Sequence, residues 1–272
     1  MRSLVTAVLA VAQVALANMP PPAPPVAADA KAAPVAPAEP AAAPSAADVV
    51  TRLDTLWKTR DDAASIKEFN ELSSQGLKTY PDNYDLLWRV SRFRWWQADG
   101  TTAEKLKKQV AKEGWALAER ALKANPQGSE GKYYTALNIG AYSQAVGILT
   151  ALGEGLEGKF VDNLDAAGKA NEDFDRAGYY SAKGRYYWEL PWPKRDLGKS
   201  REHLTKYITK HPEVLRGYYY LAATELKDGN AKKAREYIDK ALSGSSEYDP
   251  PEARRVKAWA KDLSPQIEEA LK

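Results

Sequence analysis

The sequence predicts an all-α protein, a solenoid of helical hairpins that ends in a C-terminal capping helix. Three observations predict this fold class. Apolar residues recur at helical spacing throughout residues 47–272, and no segment in that range alternates apolar and polar residues as a half-buried strand would. Similar helix endings also recur along the chain at nearly regular intervals.

The clearest hairpin is "LRGYYYLAATELKDGNAKKAREYIDKALSGS", residues 215–245. One apolar stripe is predicted for its first helix, at Leu215, Tyr218, Tyr219, Ala222 and Leu226. A second stripe is predicted for the next helix, at Ala231, Ala234, Ile238, Ala241 and Leu242. Gly229 lies between the two stripes and suits the left-handed position that ends a helix.

This hairpin resembles the tetratricopeptide repeat. Leu221 and Ala222 match the large and small residues of the first helix, and Ala234, Ala241 and Leu242 match those of the second. Small residues are needed there because two helices approach closely only where side chains are short.

The helix endings "GLKTYP", "ALKANP", "AAGKANE" and "YITKHP" indicate that the hairpin recurs. Their junctions at residues 81, 126, 172 and 212 are 45, 46 and 40 residues apart, so these hairpins are longer than usual. Segments 101–109 and 147–159 are predicted to carry the extra length, and the prolines are predicted in the first turn of the following helix. Four or five hairpins are expected. A final helix with Val256, Trp259, Ala260 and Leu263 on one side is expected to cap them.

The N-terminal region differs in composition from the rest. Residues 1–17 combine one arginine, an apolar run and the Ala15-Leu16-Ala17 cleavage pattern, and they predict a secretory signal peptide. Residues 18–46 are rich in Pro and Ala and predict a disordered linker. The chain contains no cysteine, which excludes disulfides and thiolate metal sites. A periplasmic or secreted protein with no stable membrane span after cleavage is therefore expected.

Residues 131–242 resemble the TatT family, the periplasmic tetratricopeptide-like T components associated with TRAP transporters. The segments "GKYYTALNIGAYSQAVGILTALG", "YYSAKGRYYWELPWPKRDLGKSREHLTKYI" and "YYYLAATELKDGNAKKAREYIDKAL" follow in that family's order, and the Leu190–Pro193 corner is the most specific element. The resemblance implies a protein partner, for example a periplasmic solute-binding protein, and an accessory role in solute transport.

Two further segments, "NYDLLWRVSRFRWW" (83–96) and "WALAERALKANP" (115–126), resemble the eukaryotic regulator-of-microtubule-dynamics proteins. Those proteins share the enlarged hairpin. The predicted signal peptide favours an exported role over a cytoskeletal one.

The residues do not predict catalysis, a cofactor or a metal site. The two histidines, His203 and His211, lack further ligands nearby, and Gly153, Gly155 and Gly158 follow a predicted helix instead of a strand. The net charge of +3 does not indicate nucleic acid. In "WRVSRFRWW" the residues Leu87, Trp88, Ser91 and Trp95 share a core face, and the arginines are expected to reach water along it.

The corner "LPWPKRD" admits a structural and a functional interpretation. Pro191 and Pro193 fix the backbone and end the helix, Asp196 is a predicted N-cap, and Trp188 is expected in the core. Trp192, Lys194 and Arg195 either complete a stiff elbow or border a docking surface.

The leading hypothesis is a non-enzymatic scaffold that binds a protein partner. The alternative is a carrier or pore for a small apolar ligand, lined by the Tyr-rich helices at 133–142 and 179–188. An enclosed aromatic cavity would favour the carrier, and an open polar groove would favour the scaffold. An enzyme with an unrecognised carboxylate pair is a third hypothesis, and self-association stays open. The candidate binding residues are Tyr134, Asn138, Tyr142, Tyr180, Tyr187, Trp192, Lys194 and Arg195.

Overall fold

The computed structural model describes residues 44–272, which form twelve α-helices and no strand. The predicted signal peptide, and the predicted linker up to residue 43, lie outside the described residues. The helices are α1 (Ala46–Trp57), α2 (Ala63–Thr79), α3 (Tyr84–Asp99), α4 (Glu104–Ala124), α5 (Ser129–Val146), α6 (Ile148–Gly153), α7 (Leu156–Ala170), α8 (Phe174–Glu189), α9 (Leu197–Lys210), α10 (Leu215–Lys227), α11 (Ala231–Ser243) and α12 (Pro250–Ala270).

The helices pack in sequence as five hairpins, which confirms the predicted solenoid. The pairs are α1–α2, α3–α4, α5–α7, α8–α9 and α10–α11, and α12 covers α10 and α11. The predicted capping helix is therefore present, with Val256 and Ala260 fully buried. Within residues 44–272 no helix is long and apolar enough to cross a membrane.

Small residues let the hairpins close, among them three alanines that the sequence identified. Ala222, Ala234 and Ala241 are fully buried where α10, α11 and α12 meet. In the α8–α9 hairpin, a Cβ at Gly184 would lie 2.4 Å from the Leu204 side chain. Any larger residue there would push the two helices apart.

The extra hairpin length lies in the two segments predicted to carry it. Helix α4 extends over 21 residues, and the short helix α6 interrupts the turn between α5 and α7. The prediction that the junction prolines lie in the first turn of the next helix was wrong. Pro81, Pro126 and Pro212 lie in turns, three residues before α3, α5 and α10 begin. Asn83 then caps α3 through its side chain, whereas the N-caps of α5 and α10, Gly128 and Val214, make no side-chain cap bond.

The array curls until its two ends meet. The turn between α1 and α2 contacts the start of α12, where Arg60 Nη2 donates to Asp249 Oδ2 at 2.9 Å. On the outside of the same junction, Arg254 Nε donates to Asp61 Oδ2 at 2.7 Å. This closure converts the inner face of the solenoid into a central cavity.

Candidate functional site: a central aromatic cavity

The central cavity holds about 180 Å³ of free space. It is lined by the inner faces of α3, α5, α8 and α10, by α6 and the start of α7, and by the turn before α12. Aromatic and aliphatic side chains form most of its wall, including Trp57, Trp95, Trp96, Tyr133, Leu137, Leu152, Leu156, Phe160, Tyr186, Tyr207, Tyr220 and Tyr248.

Small residues on two helices leave this space open. On α5, Gly140, Ala141 and Ser143 face the cavity, and on α8 the corresponding wall includes Ser181 and Ala182. These small residues lie on the same helix faces as the larger lining residues. The cavity therefore follows from the sequence of these two inner helices.

One end of the cavity is closed by a buried ionic cluster around Arg216. The Arg216 guanidinium donates to Asp99 Oδ2 at 2.8 Å and to Glu252 Oε1 at 2.5 Å, joining α3, α10 and α12. Arg255 donates to the Trp96 carbonyl at 2.9 Å. Burial acts to raise the pKa of Asp99, but Arg216 and Arg255 beside it hold that pKa below its usual value. The cluster is thus charged and internally neutralised.

Arginines and tryptophans stack at the junction between the two ends of the array. Arg60 lies 4.1 Å from the ring centroids of both Trp57 and Trp96, and Arg92 lies 4.1 Å from Trp57 on α1. A cation that lies over the face of an aromatic ring is attracted to it, so these contacts stabilise the junction. This explains the basic-aromatic segment of α3 as part of the fold.

Three of the four residues predicted for the core face of that segment, Leu87, Trp88 and Ser91, are buried. The fourth, Trp95, is half-buried and lines the cavity. The expectation that its arginine charges reach water was wrong. The Arg89 and Arg92 side chains are only 14% and 12% exposed, and both pair with Asp54 on α1. A neighbouring carboxylate, absent from the local pattern, satisfies these charges.

The start of α8 contains a left-handed turn that faces the cavity. Asp175, Arg176 and Ala177 have φ angles of 53°, 52° and 55°. Non-glycine residues occupy this region rarely and almost always singly, at a cost of about 1–2 kcal/mol each. Three in succession mark a locally strained segment, of a kind that clusters at functional sites.

Asp175 is the carboxylate that this turn directs into the cavity. The residue is exposed to the open space of the cavity, and desolvation by the surrounding wall raises the pKa of its carboxyl group in spite of Arg92, Arg176 and Arg60 nearby. Among the described residues, Asp175 makes no hydrogen bond or ion pair. Sequence reasoning did not single it out, since its position depends on the unusual backbone.

Two of the predicted binding residues lie in the core. Tyr134 is 1% exposed and packs parallel to Trp88. Asn138 is fully buried, and its Nδ2 donates to Ser91 Oγ at 3.0 Å and to the Tyr134 carbonyl at 2.8 Å. These side chains fasten α5 to α3 and do not line the cavity.

The other three predicted helix residues lie on hairpin surfaces away from the cavity. Tyr142 packs edge-on against Trp115 of α4. Tyr180 and Tyr187 pack around His203 of α9, with the Tyr187 and His203 rings stacked at 5.7 Å. None of the three lines the cavity. A binding role for these residues stays a prediction.

The cavity uses the neighbouring residues on the same two helices. Tyr133 and Leu137 line it in place of Tyr134 and Asn138, and Tyr186 lines it in place of Tyr187. One residue corresponds to about 100° around a helix. The predicted residues Tyr134, Asn138 and Tyr187 are thus rotated away from the cavity and face the neighbouring helices. Gly114, where a Cβ would lie 2.1 Å from Asn138 Oδ1, was a sequence signal for that close packing.

The Pro-Trp-Pro corner forms the connection between α8 and α9. Asp196 caps α9 as predicted, accepting from the Lys199 amide at 2.8 Å. Lys194 Nζ pairs with Glu157 Oε2 at 2.5 Å, and Arg195 Nε donates to the Leu190 carbonyl at 3.0 Å. Both cations therefore support the elbow.

Two tryptophans near this corner differ in environment. Trp192 is 86% exposed, so it does not seal the hairpin. Trp188, expected in the core, is half-buried, with the Lys227 ammonium 3.4 Å from its ring centroid and its indole N–H donating to the Ala223 carbonyl. The corner thus presents one free aromatic side chain.

The described residues contain no group of three or more His, Asp or Glu side chains arranged to hold a metal ion. His211 contacts Glu213, and His203 lies among tyrosines. The cavity offers aromatic surface and the carboxylate of Asp175, which is unpaired among the described residues.

These features define a tetratricopeptide-like helical-repeat scaffold, a class that typically serves protein–protein interaction without enzymatic activity. A family model described as "Regulator of microtubule dynamics protein 1-3" matches residues 49–200. The chain belongs to that family. This match confirms the resemblance that was drawn from residues 83–96 and 115–126.

The fold is similar to the crystal structure of a thermophilic TPR protein from Thermus thermophilus. The TM-score is 0.55 at 16% sequence identity, and the match covers 80% of this chain and 98% of the other. No curated protein matches the sequence.

Proposed function

We propose that this protein is a non-enzymatic carrier that holds a small apolar ligand in its central cavity. The observation that supports the proposal is the concave inner face: the ends of the array meet, and mostly aromatic and aliphatic side chains line about 180 Å³ of space. Helical solenoids commonly bind partners on an extended concave surface. Here α12 and the turn before it obstruct that surface.

The lining has the character of a ligand site. Ligand pockets are mostly apolar and contain a few convergent polar groups, and this cavity follows that pattern. An engineered apolar cavity of about 150 Å³ is large enough to bind benzene. The cavity in this protein has room for a molecule of at least that size.

Filling the cavity tests the proposal. Ala182 lines it, so Ala182→Trp is expected to abolish binding of an apolar probe such as octanol, measured by titration calorimetry. Ala170→Trp, at the exposed end of α7, is the matched control and is expected to bind normally. Octanol that fails to bind the wild-type protein, or binds both variants equally, would refute the carrier function.

A second candidate function, binding of a protein partner, is favoured by the exposed apolar residues beside the cavity. Trp192 is 86% exposed at the α8–α9 corner, and Leu149 is 73% exposed on α6. Exposed aromatic residues commonly anchor protein interfaces. Since Trp192 does not pack, Trp192→Ala is expected to weaken partner capture in a pull-down without lowering the melting temperature. Lys194→Ala with Arg195→Ala tests the neighbouring cations in the same assay.

The cellular setting is also a proposal. Residues 1–17 support export to the periplasm or secretion, and the TatT resemblance supports a role beside a TRAP-type transporter with a solute-binding protein as partner. Fractionation of a diderm bacterium that expresses the chain tests the first point. A mature protein that begins near Asn18 in the periplasm is expected, and full-length chain in the cytoplasm would contradict it.

A further inference from the structure

We propose that the ligand of the central cavity carries a cationic group, an amine or a quaternary ammonium, which Asp175 binds. This inference rests on the proposed carrier function and names the chemical class of its ligand. It follows from the charge balance of the cavity, from the aromatic side chains around Asp175 and from the backbone that holds this residue.

The charge balance leaves one negative side chain without a partner. Among the described residues, all other charged side chains that line the cavity are paired. The pairs are Arg60 with Asp249, Arg216 with Asp99 and Glu252, Arg185 with Glu189, Arg176 with Glu213, and Glu157 with Lys194. Asp175 is exposed to the cavity, and its carboxylate has no counter-ion among the described residues there. A cationic ligand would supply that counter-ion.

The nearby arginines do not take this role. Arg92 is engaged with Asp54 on α1, and Arg60 is engaged with Asp249 before α12. Both guanidinium groups also stack on Trp57. Their positions are therefore fixed by other contacts, and the carboxylate of Asp175 stays open to the cavity.

The surroundings of Asp175 also suit a cation because they are aromatic. Tyr133 and Tyr207 line the same cavity as Asp175. Tyr133 is a close neighbour, since a Cβ at Gly178 would lie 2.1 Å from Tyr133 Oη and 3.5 Å from the Cβ of Asp175. Burial and then the charge of Asp175 raise the pKa of both phenols. Aromatic faces attract ammonium groups, and quaternary ammonium ligands are commonly held in aromatic cages. A carboxylate among aromatic rings combines both means of recognition.

The strained turn holds the carboxylate in this position. Arg176 Nη2 donates to the Tyr248 carbonyl at 2.9 Å, and Ala177 is fully buried. A Cβ at Gly178 would lie 2.1 Å from Tyr133 Oη, so the backbone follows the cavity wall closely. The surrounding contacts thus maintain a backbone conformation that the three residues would not adopt alone.

The test compares octyl ligands that differ only in head group: octyltrimethylammonium, octylamine, octanol and octanoate. Calorimetric titration of the wild-type protein is expected to show both cations binding at least about tenfold more tightly than octanol, a difference of about 1.4 kcal/mol. Asp175→Asn is expected to remove this preference while octanol still binds. Asparagine tolerates the left-handed region, so this variant keeps the backbone. Asp162→Asn, exposed and outside the cavity, changes the net charge equally and is expected to keep the preference.

The outcomes separate the two proposals. Binding of all four ligands with equal affinity, or an unchanged cation preference in folded Asp175→Asn, would overturn the cationic ligand and leave the carrier function standing. If no octyl ligand binds the wild-type protein, both proposals are overturned. A preference for octanoate would likewise refute the assignment of a cation to Asp175.

Discussion

Arg60 and Asp249 are 189 positions apart in the chain, and their side chains form an ion pair of 2.9 Å inside the protein. The Arg60 side chain is 3% exposed and that of Asp249 is 15% exposed. The pair joins the first hairpin to the capping helix. It therefore couples the stability of the array to the closure of the cavity.

Loss of this buried pair is expected to be costly. Arg60→Ala leaves Asp249 without its partner and removes the stacking on Trp57 and Trp96, so the free energy of unfolding is expected to fall by about 3 kcal/mol or more. Chemical denaturation measures this. The control is Arg254→Ala, which breaks the exposed pair with Asp61 at the same junction and is expected to cost about 1 kcal/mol or less. Equal losses would show that the buried pair does not hold the closure.

Close packing of the last hairpin gives a second prediction. Ala234 and Ala241 are fully buried between α10, α11 and α12, so Ala234→Leu is expected to destabilise the protein by about 1–3 kcal/mol through overpacking. Lys233→Leu on the exposed side of α11 is expected to change stability by about 0.5 kcal/mol or less. Comparable destabilisation by the two leucines would contradict the packing of α11.

The strained turn predicts a reversal of the usual glycine effect. At an ordinary exposed helix position such as Lys112, the glycine variant is expected to be about 1 kcal/mol less stable than the alanine variant. At Arg176, with φ of 52°, Arg176→Gly is expected to be about 1 kcal/mol more stable than Arg176→Ala. Both variants lose the contact with Tyr248, so the comparison isolates the backbone. A less stable glycine variant would rule out the left-handed conformation.

The fold class was predictable because each hairpin carries its own local signals. Ala222, Ala234 and Ala241 marked the close packing of α10 and α11, and Asp196 marked the start of α9. These features depend on residues near each other in the chain. Their physical cause, helical periodicity and capping, is visible in the sequence.

The candidate site was less predictable, because it depends on contacts between distant residues. Tyr134 and Tyr133 are adjacent, and only the packing of α5 against α3 and α4 decides which of them faces the cavity. Closure by Arg60 and Asp249 joins the two ends of the array. Asp175 reaches the cavity through a left-handed turn that it shares with Arg176 and Ala177, two residues whose types do not favour that conformation. No local pattern contains this information.

His203 provides a pH-dependent test of the α8–α9 hairpin. Its ring stacks on Tyr187 and contacts Tyr180, and burial lowers the pKa of its imidazole below the ordinary value of 6.5. The unfolded chain therefore takes up a proton at higher pH than the folded protein does. Stability from this group is present above pH 6.5 and is lost as the pH falls from 6.5 towards the folded pKa.

Replacement of the imidazole by a ring that does not titrate is expected to remove this loss. His203→Phe keeps the stacking on Tyr187, and its Tm should fall less than that of the wild-type protein between pH 7 and pH 5.5. Parallel curves for wild type and His203→Phe would show that His203 titrates alike in the folded and unfolded states. The tyrosine cluster would then not shield it from water.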